Sequence, residues 1–348
     1  MTDLRTRIID TIRVNGPMPV SLYMLMCLHD PRAGYYATRP ALNVDFTTAP
    51  ETSQVFGELI GLWAAHEWMA LGKPTPFHLI ELGPGRGVMM ADALRAAASV
   101  PGFLDAAQIA LVEASPALRE EQSARLGRYN PQQYDDLDAV PPGPSIILAN
   151  EFLDCLAIRQ FVRDGAGWRE RQVGVDRAGY LAFGIGPPAE LPPHLTPIGD
   201  QVEAAPALES FTDAIARRFR EHPGRALVID YGPDDHSPTD TLRAYASGRQ
   251  VPPLSDPGAT DLTADVDFPR LVRLCGQNQL AVHGPVTQQH FLARLGARQR
   301  MENLQRINPD HAADIRAAVE KLVSPSEMGT RFKVVCLSPP GAETPPGF

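Results

Sequence analysis

The chain has 348 residues, 44% apolar and 21% charged, an ordinary balance for a globular protein. That length supports one large α/β domain with insertions or two modest domains. Its 32 Lys+Arg against 41 Asp+Glu give a net charge of −9, which argues against a general nucleic-acid binder and suits a basic protein substrate. No run of 18 apolar residues occurs, which excludes a membrane-spanning helix.

The cysteines Cys27, Cys155, Cys275 and Cys336 lie far apart and form no C-x-x-C pair. Zinc and dithiol readings therefore have no support, no metal site is expected, and reduced thiols are. Met1–Val14 lacks an apolar h-region and a cleavage-like site, so no signal peptide or transit peptide is expected and a cytoplasmic location is.

In chain order, Asp3–Val14 and Val20–Leu28 predict short amphipathic helices separated by Asn15-Gly16-Pro17. An irregular segment, Thr38–Glu51, leads to a helix capped at Thr52 or Ser53. That helix carries Val55, Leu59, Leu62, His66 and Met69 at helical spacing. From Phe77 the pattern becomes strand, glycine turn and helix: Phe77–Leu82, Gly83–Gly87 and Val88–Ala98. Ile109–Glu113 reads as the next strand, with a helix capped by Ser115-Pro116 after it. A short third strand ends at Tyr134, and Ile146–Ala149 is an unbroken apolar strand of the doubly buried kind. This alternation implies a parallel sheet.

Beyond Asp154 the rhythm changes. Arg159–Val175 predicts a hairpin through Asp164-Gly165, with Tyr180–Phe183 a further strand and Gly186–Pro197 a proline-rich loop. The core resumes with helix Glu209–Arg220 and strand Ala226–Tyr231. Gly232–Asp265 is too long for an ordinary connection and so reads as functional or mobile. Helix Phe268–Cys275, strand Leu280–His283, two helices and strand Phe332–Leu337 follow, then a tail, Pro339–Phe348, expected to be disordered.

Chemistry concentrates at strand ends. In Glu81-Leu82-Gly83-Pro84-Gly85-Arg86-Gly87 the glycines permit a tight turn and leave no Cβ to block a ligand. The spacing is G-x-G-x-G rather than the G-x-G-x-x-G of a nicotinamide site, and an acid stands two residues before the turn. That arrangement suits a cationic, phosphate-free ligand: Glu81 orients the amino-acid end of S-adenosylmethionine and the glycines admit its sulfonium arm. Glu113, ending the second strand, can accept both ribose hydroxyls. Asp135, after the third strand, can accept from the adenine amino group, although it also stands in an acidic turn. Asn150-Glu151 follows the fourth strand, at the carboxyl edge where open α/β sheets bind ligands.

With these residues in place, the chain resembles the MidA family of methyltransferases over roughly residues 17–337. The matching blocks include Gly34-Tyr35-Tyr36, Asp45-Phe46-Thr47-Thr48-Ala49-Pro50-Glu51, Ser53–Leu59, Glu81–Gly87, Leu148–Asp154, Ile229-Asp230-Tyr231-Gly232 and Asp261-Leu262-Thr263-Ala264. The resemblance implies an α/β fold with a Rossmann-like seven-strand class I methyltransferase sheet, an N-terminal helical extension and insertions. Residues 1–75 would be that extension with a cofactor lid carrying Asp45 and Phe46. Residues 76–338 would be the core, with an inserted hairpin (157–200) and a substrate-side loop (232–267).

The resemblance further implies an arginine acceptor on the 49-kDa-type subunit of NADH:quinone oxidoreductase, modified during complex I assembly. Carboxylates can hold a guanidinium bidentately and localise its charge away from the attacking nitrogen. Glu151 and Asp154 are the catalytic candidates, with Glu51 and Asp267 as candidate substrate contacts. Departures from the family pattern at Asn43-Val44, Thr239, Asp265 and Gln289 keep a non-catalytic assembly factor in play. A methyltransferase acting on a small molecule or RNA is a further alternative, with the acidic balance counting against RNA and the large insertions suiting a macromolecular acceptor. A nicotinamide oxidoreductase fits less well, given the glycine spacing.

Overall fold

The computed structural model describes residues 3–38 and 48–348. Four apolar-rich segments bury most of their residues, as strands covered on both faces do: β1 (Phe77–Leu82), β2 (Ala107–Val112), β4 (Ser145–Asn150) and β5 (Gly224–Tyr231). With the short β3 (Gln132–Tyr134), β6 (Ala281–Thr287) and β7 (Phe332–Ser338), they form one seven-stranded sheet in the order 3-2-1-4-5-7-6. Strands β3 to β5 pair in parallel through β2, β1 and β4. The all-parallel expectation is corrected at the far edge, where β7 runs antiparallel to both β5 and β6. Strand order reverses between β1 and β4, and such a switch point is where open α/β sheets hold ligands.

Helix α1 (Gln54–Ala70) starts at Ser53, whose hydroxyl accepts from the Val55 amide at 3.3 Å. It packs on α2 (Val88–Ala97) at close range because Gly61 lacks a Cβ: one there would stand 2.2 Å from the Ala93 carbonyl oxygen. Between α1 and β5, Arg225 donates to Glu67 at 2.8 Å, and both are almost fully buried. The glycine turn separates β1 from α2, and α3 (Pro116–Leu126) follows β2 behind its Ser115 cap.

The chain divides into two compact units. One comprises Thr47–Phe152, Thr212–Tyr231 and Cys275–Phe348 and carries the seven-stranded sheet. The other gathers Met1–Phe46, Leu153–Phe211 and Gly232–Leu274. In this second unit, helices Leu4–Asn15 and Val20–His29 share a buried cluster with Val173, Leu181, Leu242 and Leu262. Arg159–Asp164 and Gly167–Val175 form the expected hairpin, in a five-stranded sheet with Met18–Pro19, Leu181–Pro188 and Gln201–Ala204. The long insertion contains structure of its own, a three-stranded sheet of Arg243–Ala246, Arg249–Val251 and Asp261–Thr263.

The tail is corrected as well. Phe348 packs against Phe291 with ring centroids 5.4 Å apart, so an apolar terminal side chain anchors residues expected to be disordered. Among the described residues no disulfide joins the four cysteines, and no helix is long and apolar enough to cross a membrane.

Candidate functional site

The turn after β1 has the backbone its glycines allow. Gly83, Gly85 and Gly87 adopt φ of 62°, 52° and 73°, a region costly for residues with a Cβ. The Gly83 amide donates to Val112 of β2 at 3.0 Å, and the Gly87 amide closes the turn on Pro84 at 2.8 Å. Gly87 then leads into α2. A Cβ at Gly83 would come within 2.9 Å of the Phe152 ring, so that ring lies directly against the turn.

Asn150 ends β4, and Glu81 is the penultimate residue of the adjacent β1. Glu81 is buried, and among the described residues nothing donates to its Oε2. Burial, reinforced by the nearby charge of Glu113, pushes its carboxyl up to about 8. Asn150 donates through Nδ2 to Glu151, but its buried Oδ1 likewise has no donor among the described residues. Unsatisfied buried acceptors are costly, and two of them beside a glycine turn fit a ligand that brings its own donors. The amino-acid end of S-adenosylmethionine carries an ammonium group and meets that requirement.

Glu113 is buried at the end of β2, and burial raises its carboxyl above the usual range. Its Oε1 accepts from the Ser115 amide at 2.9 Å and its Oε2 from Gln122 Nε2 at 3.3 Å. Asp135 is largely exposed and accepts from Arg119 at 2.6 Å. The Arg86 side chain turns to other partners: Glu121 at 2.8 Å and Glu51 at 3.8 Å. Glu51, a candidate substrate contact, is thereby held near the turn through Arg86.

Glu151 has a feature its residue type does not announce, a left-handed φ of 49°. Its amide donates to Ile229 of β5 at 2.9 Å. Its Oε1 accepts from the Ala49 amide at 3.2 Å and from Asn150 at 3.1 Å. A non-glycine residue held in that region stores strain, which persists where surrounding bonds over-determine it.

Asp154 and Asp267 belong to the other compact unit. Asp154 is buried and accepts from the Thr263 hydroxyl at 2.9 Å, tying its segment to strand Asp261–Thr263. In the same unit Tyr36 donates to Asp261 at 3.0 Å. Asp267 is buried as well and caps helix Phe268–Gln277 by accepting from the Arg270 amide at 2.8 Å. Asp45 and Phe46 lie outside the described residues, as do Asn43 and Val44.

Sequence reasoning missed Gln122, Phe152 and the Tyr36–Asp261 pair. Gln122 did leave a signal. Leu118, Gln122 and Leu126 are the buried positions of α3, so an amide sits in the middle of an apolar stripe.

Residues 59–286 match the family model described as "Putative S-adenosyl-L-methionine-dependent methyltransferase". The chain belongs to this family. Its cofactor is S-adenosyl-L-methionine. A protein arginine methyltransferase NDUFAF7, mitochondrial, from Danio rerio is 37% identical, covering 92% of this chain and 83% of the relative. The Homo sapiens protein of the same name is 36% identical over 97% of this chain and 84% of its own length. A crystal structure from Burkholderia thailandensis, bound to S-adenosyl-homocysteine, superposes with a TM-score of 0.86 at 27% identity, covering 99% of this chain and 93% of that one. These relatives also overturn the expected cytoplasmic location: the curated proteins are mitochondrial. An N-terminus without an obvious targeting pattern was too weak a basis for that placement.

Proposed function

We propose that this methyltransferase modifies an arginine of another protein, and that its acceptor is the 49-kDa-type subunit of NADH:quinone oxidoreductase during complex I assembly. The supporting observation is the identity of 36–37% across more than nine-tenths of the chain to relatives named protein arginine methyltransferase. The net charge of −9 accords with a basic acceptor segment.

When bound, the cofactor supplies a methyl group on a sulfonium centre and leaves as a thioether. Glu81 Oε2 and Asn150 Oδ1 would receive its ammonium group, while Glu113 would accept from the ribose hydroxyls and Asp135 from the adenine amino group. The backbone of residues 83–87, free of Cβ atoms at three positions, would leave room for the sulfonium arm. Alignment of this kind can supply about 7–11 kcal/mol in favourable cases.

The acceptor guanidinium is charged and must release one proton as one N–CH₃ bond forms. Glu151, fixed by the Ala49 amide and Asn150, holds the guanidinium and takes that proton before passing it to water. Asp154 and Asp267 contribute by holding the second unit's strand and helix in place, and Glu51 by steering Arg86.

Incubating the protein with isotopically labelled S-adenosylmethionine and the recombinant subunit should place the label on arginine, read by peptide mass spectrometry. Glu151→Gln should lower turnover at least about 100-fold, the scale of losing a positioned acid or base, with cofactor affinity within about two-fold. Label appearing only on small molecules, or none at all with cofactor binding intact, would contradict the arginine assignment.

A further inference from the structure

A glutamine in the buried stripe of a helix is out of place unless its amide is used, because an unbonded amide in an apolar setting is costly. Gln122 is completely buried between Leu118 and Leu126. A leucine there would continue the stripe, so packing alone does not call for an amide.

Gln122 uses its amide on the cofactor side of α3. Nε2 donates to the Gly85 carbonyl at 2.7 Å and to Glu113 Oε2 at 3.3 Å. Oε1 accepts from Gln133 at 3.4 Å, and Gln133 also donates to the Arg119 carbonyl at 2.8 Å. Its Cγ, with Leu126 Cδ1, backs the turn at Gly87, at 3.6 and 3.1 Å from the place a Cβ would take. One side chain therefore bridges the glycine turn and the acid of β2. With Ser115 holding the other oxygen of Glu113, both carboxylate oxygens are fixed from the α3 side. An ionised carboxylate has about four acceptor sites, so capacity remains for a ribose hydroxyl beyond the bonds already made.

We propose that Gln122 is a positioning residue for cofactor recognition: it locks the Glu113 carboxylate and the Gly85 carbonyl into one frame, so that the ribose hydroxyls meet a preset acceptor. The inference rests on Glu113 being the ribose acceptor. Its consequence is selectivity for the ribose, beyond affinity alone.

The test is calorimetry with S-adenosylhomocysteine and its 2′-deoxyadenosyl analogue. Wild type should prefer the ribose form by at least about ten-fold, the scale of a hydrogen bond to a charged group. Gln122→Met keeps the length and loses the donor. It should bind S-adenosylhomocysteine about ten-fold more weakly, with the ribose preference shrunk to about two-fold or less. Adding Glu113→Gln to it should change little further, because the two act as a unit. If Gln122→Met fails to fold, Gln122→Asn provides the same readout, being too short to span both partners. A purely structural role would lower the melting temperature and leave the preference intact. Full ribose preference in a folded variant overturns the role of Gln122 alone. Indifference of the wild type to the 2′-hydroxyl removes Glu113 as the acceptor, and the inference with it.

Discussion

Changing Glu81 to Gln tests how the site recognises a cation. Burial holds the Glu81 carboxyl near 8 instead of its ordinary 4.5, so the empty fold favours the neutral acid. Because the folded value is raised, the empty protein loses stability as pH climbs from about 4.5 toward 8, where the unfolded chain is already ionised. An ammonium partner favours the ionised form, so binding must draw a proton off Glu81 below pH 8. At pH 7 about one-tenth of Glu81 is ionised, and at pH 8 about half. Wild-type affinity for S-adenosylhomocysteine should therefore rise about five-fold over that unit of pH relative to Glu81→Gln, in which only the ligand's own amino group titrates. Glu81→Gln should also bind about ten- to a hundred-fold more weakly at pH 8, the scale of a charge-assisted hydrogen bond. The assay is isothermal titration calorimetry from pH 6.5 to 8.5 in buffers of different ionisation enthalpy, which also counts the proton released. A wild-type to variant ratio independent of pH, or equal affinities, would refute the reasoning.

Gly83→Ala should cost about 1–2 kcal/mol for its left-handed backbone and displace the Phe152 ring, lowering both melting temperature and cofactor affinity. Unchanged values in a thermal-shift series with and without cofactor would speak against the described turn. Arg225→Met strands the carboxylate of Glu67 in the core and should destabilise the protein by about 3–5 kcal/mol in urea unfolding. Pairing it with Glu67→Gln should recover a substantial part of that loss, and no recovery would mean that the ion pair is not the cause. Thr241→Val removes the hydroxyl that donates to buried Glu203, which burial pushes up to about 7. A loss of about 1–3 kcal/mol is expected, and a neutral result would show that the amides of Thr241 and Leu242 suffice.

The sheet was legible because its strands are short, apolar and punctuated by glycine turns and capped helices. Phe77–Leu82 and Ile146–Ala149 admit few other readings, and Ser115-Pro116 marks a helix start without ambiguity. The antiparallel β7 was not legible, since an apolar run carries no direction. Nor was the assembly of the N-terminal helices, the hairpin and the long insertion into one unit, because contacts distant in sequence leave no local pattern. Glu81, Glu113 and Asn150 could be placed at or beside strand ends from the apolar runs they adjoin. Glu151's left-handed backbone is imposed by its bonds to Ile229, Ala49 and Asn150, partners that no local pattern announces. Asp154 and Asp267 were singled out as carboxylates by type, and their partners Thr263 and the amide of Arg270 left no local signal.

The most direct test is a crystal structure of this protein with S-adenosylhomocysteine bound. The account predicts the ligand's sulfur beside residues 83–87, donors within hydrogen-bond distance of Glu81 Oε2 and Asn150 Oδ1, and a ribose hydroxyl on Glu113. A ligand lying elsewhere, with both of those acceptors still lacking donors, would contradict it.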